Sequence, residues 1–172
     1  MKNIFLIGMP SSGKSTLGRH LAKRIDYKFI DMDELIEKQE LMSVQEIFKY
    51  KGEDYFRQVE SKVLKEIPVD QKLVIATGGG VPCFFDNIDY IKANGTSIFL
   101  NVQPEDLLKR IQKSDINHRP LINRNTSEES LLKNLQERCA YRLPFYQQAD
   151  IQIDGNIDVD QLLWILDEIE EK

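Results

Sequence analysis

The stretch Gly8-Met9-Pro10-Ser11-Ser12-Gly13-Lys14-Ser15, followed by Thr16, has the residue types and spacing needed to hold a polyphosphate. Its glycines let successive backbone N–H groups turn inward around phosphate oxygens, and a helix starting at Lys14 adds its positive N-terminal end. The Lys14 amine can reach β- and γ-phosphates, and the Ser15 hydroxyl can bind Mg²⁺. An apolar strand precedes the loop and a helical repeat through Leu17, Leu21 and Ile25 follows it, which is the context such a loop requires. ATP or GTP is the expected ligand. The loop specifies a nucleotide but not a reaction, because switches, motors and small-molecule kinases all share it.

Other residues discriminate. Phe29-Ile30-Asp31-Met32-Asp33 places two carboxylates at the expected C-terminal end of a second strand, where ligands of doubly wound sheets bind. One can lie near Mg²⁺ and the other can orient a substrate hydroxyl or accept its proton. Alternatively, Asp33 caps the helix that starts at Glu34. Arg57 has Glu60 three residues on, so the pair is either an oriented anion-binding fork or a solvated surface ion pair. Arg138 and Arg142, four apart on one expected helix, can clamp a carboxylate or phosphate or can be plain surface charges. Gln112–Asn125 reads as a polar loop, with His118 in the connector and Arg119 biased to extended backbone by Pro120. Such a loop can close over a nucleotide and deliver an arginine to the transferred group. Finally, Ala76-Thr77-Gly78-Gly79-Gly80-Val81-Pro82 follows the apolar run Leu73–Ile75 with no carboxylate after it, leaving Asp31 as the metal-side candidate. A tight turn accounts for one or two of these glycines; close approach of a ligand to the backbone accounts for the third.

The elements that must position these residues alternate between strand and helix. Short apolar strands are expected at 3–7, 28–31, 73–76, 96–102 and 150–153. Helices are expected at 14–25, 34–40, from a Ser43 capping box, over 52–67, at 105–111, from about 127 to 142 after a Thr126 capping box, and at 159–169. This pattern predicts one α/β domain spanning 1–172, a three-layer α/β/α arrangement around a five-stranded parallel sheet. With 172 residues, 41% hydrophobic and 30% charged, the composition is that of a globular protein. A net charge of −5 argues against nucleic acid and anionic membrane as partners, and no apolar stretch is long enough to span a bilayer. Cys83 and Cys139 form no metal-ligand or disulfide pattern and read as thiols of a reducing, cytoplasmic compartment.

Taken in order, GMPSSGKST, DMD, GEDYFRQVE, ATGGGVP, HRPL and ERCAYR resemble shikimate kinase over nearly the whole chain. The resemblance implies a P-loop kinase fold and transfer of the ATP γ-phosphoryl group to the 3-hydroxyl of shikimate, with Mg²⁺ as cofactor. It implies nucleotide contacts from Gly8, Ser11, Ser12, Gly13, Lys14, Ser15 and Thr16, and metal binding by Ser15 and Asp31. Asp33 is then the residue on the substrate hydroxyls, Arg57 and Arg138 the pair on the shikimate carboxylate, and Gly78, Gly79 and Gly80 the pocket backbone. Arg119 is the lid arginine in a mobile lid at about 112–125, Arg110 stacks on adenine, and Phe48 and Phe56 wall the ring. A monomer is expected from the same resemblance. Gluconate kinase, or another P-loop kinase of similar size, is the nearest competing activity, and a non-catalytic nucleotide switch is the competing class.

Overall fold

The computed structural model describes residues 2–118, 127–155 and 157–170. Five strands, β1 (Asn3–Ile7), β2 (Lys28–Asp31), β3 (Leu73–Ala76), β4 (Gly95–Asn101) and β5 (Ile151–Asp154), form one sheet in the order β2-β3-β1-β4-β5. Every pairing is parallel. Parallel strands covered on both faces need apolar side chains pointing both ways, and β1 and β3 are buried at every position. The strand period of two then divides the core. Phe5 and Ile7 join Ile75 and Phe99 on one face, while Ile4 and Leu6 join Val74, Ile98 and Leu100 on the other.

Among the described residues, seven helices supply the outer layers. On the second face, α1 (Lys14–Arg24) and α7 (Val159–Glu170) contribute Leu17, Leu21 and Leu162. The first face receives α2 (Met32–Glu40), α3 (Val44–Glu66), α4 (Asn87–Asn94), α5 (Pro104–His118) and α6 (Glu128–Tyr146). A 3-10 turn at Val81–Cys83 follows the glycine run. The five strands and their parallel arrangement match expectation.

Several helices do not keep their expected limits. Met32 belongs to α2, whose N-cap is Asp31, so Asp33 lies inside the first turn and is not the cap. The capping box at Ser43 and Glu46 forms as expected and starts α3. Gly52 breaks that helix with φ 82 and ψ 171, so two helical pieces meet there at an angle. α4 is a helix that the sequence pattern does not predict. α5 runs through Gln112 to His118, where a loop is expected; no glycine or proline interrupts the stretch until Pro120, which disfavours helix at the residue before it. α6 is capped by Ser127, whose side chain accepts from the Ser130 N–H, one residue beyond the expected Thr126. Pro144 does not stop α6, which continues to Tyr146. Thr126, Arg119 and the rest of the expected lid from 119 to 125 lie outside the described residues.

One buried polar residue secures the opposite edge of the sheet. The Asn3 amide donates to the Pro68 carbonyl at 2.8 Å, and its oxygen accepts from the N–H groups of Gln71 and Leu73 at 3.1 and 3.2 Å. Asn3 thereby fixes the turn between α3 and β3. Asn3→Ala is expected to lower unfolding free energy by about 1–3 kcal/mol, because it strands partners that water cannot fully reach. Urea denaturation followed by far-UV circular dichroism measures this; an unchanged midpoint would show that the turn is held otherwise.

Candidate active site

The phosphate loop leaves β1 at Gly8 and enters α1 through Gly13, whose φ of 100 lies in the left-handed region. Unlike α2, α3 and α6, α1 has no side-chain cap and no acidic residue in its first turn. Its N-terminal N–H groups are therefore left for an anion. Ser11 holds a left-handed φ of 64, a conformation that glycine would adopt without strain. Lys14 is buried, with its ammonium donating to the carbonyls of Gly8 and Met9 at 3.0 and 2.8 Å. Burial lowers its pKa to about 8, against the opposing pull of Asp33 and Asp31.

Asp31 joins the loop to β2. One oxygen accepts from the Ser15 hydroxyl at 2.5 Å and the other caps α2 through the Asp33 N–H at 3.1 Å. Ser15 and Asp31 thus present hard oxygen atoms side by side at the end of the loop, a donor set suited to Mg²⁺. Asp33 stands across from the glycine run: a Cβ on Gly78 would lie 3.0 Å from Asp33 Oδ1.

Arg57 is not a surface charge. It is 8% exposed and lies under three rings, with its guanidinium carbon 4.5 Å from the centroid of Phe84, 5.3 Å from Phe56 and 5.6 Å from Phe48. Its Nη1 donates to Glu60 at 2.5 Å and its Nη2 to Glu53 at 2.8 Å. Glu60 is only 2% exposed, and burial pushes its pKa up to about 7 although Arg57 pulls the other way.

Each of the three glycines meets a different part of this arrangement, and none has a left-handed φ. A Cβ on Gly78 would come within 2.6 Å of Glu60 Oε1. One on Gly79 would lie 2.6 Å from Pro10 of the phosphate loop and 3.0 Å from Arg142 Nη1. One on Gly80 would overlap the Arg57 guanidinium. The run is thus glycine for space, not for turn geometry.

Arg142, not Arg138, borders this cleft. Its Nη1 also approaches Met9 Sδ at 3.9 Å, whereas Arg138 is exposed on α6. Both arginines share a helical face, but one turn of helix advances about 5.4 Å along the axis. Only the later residue reaches the sheet edge. Arg110 donates to the carbonyls of Ser11 and Ser12 at 3.1 and 2.7 Å, bracing the phosphate loop where an adenine stack is expected. It borders a cleft of about 280 Å³ together with Gly13, Thr16, His20, Gly155 and Ile157. The segment after β5 carries little sequence signal; its local cue is Gly155, which takes a left-handed φ of 79. Phosphate loop, acidic pair, glycine run and Arg57 therefore meet at one C-terminal sheet edge.

Comparison with known proteins agrees with this arrangement. The family model described as shikimate kinase matches residues 10–169. A shikimate kinase of Clostridium botulinum (strain ATCC 19397 / Type A) is 45% identical over 149 residues, covering 87% of this chain and 85% of that one. One from Phocaeicola vulgatus is 42% identical over 149 residues, covering 87% and 84%. Among solved structures, the shikimate kinase of Bacteroides thetaiotaomicron superposes with a TM-score of 0.88 at 32% identity, over 99% of both chains. That of Acinetobacter baumannii, solved in complex with shikimate, gives 0.83 at 33% identity over 99% and 94%. The fold is that of P-loop kinases, and the chain belongs to the shikimate kinase family.

Proposed function

We propose that this protein transfers the γ-phosphoryl group of ATP to the 3-hydroxyl of shikimate, giving shikimate 3-phosphate and ADP. The observation that carries this reading is the Arg57 guanidinium, buried against Gly80 on the same sheet edge as the phosphate loop. An acceptor carboxylate held there places its hydroxyls near the nucleotide and Asp33.

In this reading Gly8, Ser11, Ser12, Gly13 and Thr16 shape the nucleotide site. Lys14 places positive charge against the β- and γ-phosphates, where charge builds as the bond to the leaving group breaks. Ser15 and Asp31 hold Mg²⁺, which when bound neutralises phosphate charge. Asp33 accepts a hydrogen bond from the acceptor hydroxyl and orients it in line; the loose transition state asks little proton removal beforehand. Arg57 and Arg142, in place of Arg138, form the carboxylate grip. Gly78, Gly79 and Gly80 allow the ring close to backbone, with Phe48 and Phe56 as apolar walls. Arg110 holds the loop and borders the adenine cleft. Arg119, outside the described residues, is assigned to the lid and acts at the transferred group. The chain is read as one domain over 1–172, a cytoplasmic monomer with small-molecule partners only; among the described residues no helix is long and apolar enough to cross a membrane.

A coupled ADP-release assay with Mg²⁺-ATP and shikimate, gluconate or AMP tests the assignment. Shikimate-dependent release is expected; turnover with gluconate alone would falsify the reading. In the same assay Arg142→Ala is expected to raise the shikimate KM at least 30-fold, since truncating one partner of a buried charge contact costs about 2–5 kcal/mol. Arg138→Ala is expected to stay within threefold of the parent, and the reverse order would restore Arg138 to the grip.

The lowered Lys14 value gives a second check. Free enzyme at pH 8 carries its lysine about half protonated. Bound phosphates favour the ammonium, so ATP binding takes up protons there, and the ATP KM rises as pH climbs beyond 8. Calorimetry at pH 8 in buffers of differing ionisation enthalpy reads the uptake directly. Zero uptake would mean that Lys14 is already fully charged.

A further inference from the structure

Tyr146 ends α6 and is almost wholly buried. Its ring packs on Phe99 with centroids 5.0 Å apart. Its hydroxyl donates to the carbonyl of Gly79 at 2.5 Å, and Met9 Sδ lies 3.7 Å from the same oxygen. Burial pushes the phenol further above its ordinary range, so the group remains a donor across the working pH range.

The Gly79 carbonyl and the Gly80 N–H belong to one planar peptide unit, which is not cis, so they point in opposite directions. Fixing the carbonyl fixes the N–H. Among the described residues, no carbonyl or side chain accepts from the N–H groups of Gly79 or Gly80. Gly80 is buried, and a buried donor without a partner is costly unless a ligand supplies one. Arg142, one helical turn earlier, touches the same Met9 sulfur. The end of α6 thus reaches the acceptor cleft twice, once through a guanidinium and once through a peptide plane.

We propose that Tyr146 is a positioning residue for the acceptor site: its hydroxyl locks the Gly79–Gly80 peptide so that the buried Gly80 N–H is presented to the oxygens of the acceptor, without itself touching substrate. This rests on the acceptor reading above. Aromatic packing alone would keep α6 docked but would leave the peptide free to rotate; the hydroxyl adds the direction.

Tyr146→Phe keeps the ring and removes only the donor. The shikimate KM is expected to rise about five- to tenfold, the ATP KM to stay within twofold, and the melting temperature to remain within a few degrees. Phe99→Leu loosens the ring but spares the hydroxyl, and is expected to lower the melting temperature with little change in shikimate KM. A Tyr146→Phe enzyme with unchanged shikimate KM, or with both KM values raised in parallel, would overturn the proposal. Turnover of shikimate by the parent protein in the same assay tests the underlying activity separately; its absence would overturn both readings.

Discussion

Ionised groups taken out of water must find replacement partners, and the site is arranged around three that have been buried: Lys14, Arg57 and Glu60. Each meets the requirement differently. Lys14 borrows carbonyl oxygens from its own loop and still gives up part of its basicity to burial. Arg57 is enclosed by two carboxylates and three aromatic faces. Glu60 has Arg57 as an ionic partner, yet its burial outweighs that attraction and holds its proton more tightly than usual. The balance is incomplete at Lys14, and a polyphosphate entering that half of the cleft improves it by favouring the ammonium.

The sheet makes this possible at little local expense. Because β1 lies between β3 and β4, the phosphate loop and the glycine run emerge from neighbouring strands, and Pro10 meets Gly79 directly. Parallel register lines up Asp31 with Ala76 and Ala76 with Leu6, so the acidic pair, the glycines and the loop begin at one level. A slip of one residue in any of these strands would turn its core side chains to the wrong face. The layers therefore preserve the site as a by-product of keeping the core dry. The Asn3 contacts perform the same service at the far edge.

Much of this was legible in the sequence. Strand alternation, the phosphate loop and the acidic pair are local patterns, and local patterns survive without knowledge of tertiary contacts. The Gly78–Gly80 run was legible as a substrate wall, but the reason each glycine is required was not; it depends on Glu60, Pro10, Arg142 and Arg57, which come from four separate segments. Arg138 and Arg142 occupy the same helical face, so spacing could not rank them. Their distance from the sheet edge could, and that is set by where the end of α6 docks, through Tyr146 against Gly79 and Phe99. Asp31 took the cap expected of Asp33 because α2 starts two residues early, a boundary shift too small for periodicity to detect. α5 extended into the expected loop for a similar reason: polar composition does not exclude helix, and a stretch lacking glycine and proline can remain helical.

The glycine wall also bears on how the protein could respond to an inhibitor. Escape from a bound drug usually comes through a side-chain change that spoils one contact while sparing the native ligand. At residues 78 to 80 there is no side chain to alter, and any replacement introduces a Cβ that collides with Glu60, with Pro10 and Arg142, or with Arg57. A compound drawing its affinity from these backbone units leaves resistance no inexpensive route there, since each step away from the drug also displaces a group that the acceptor needs.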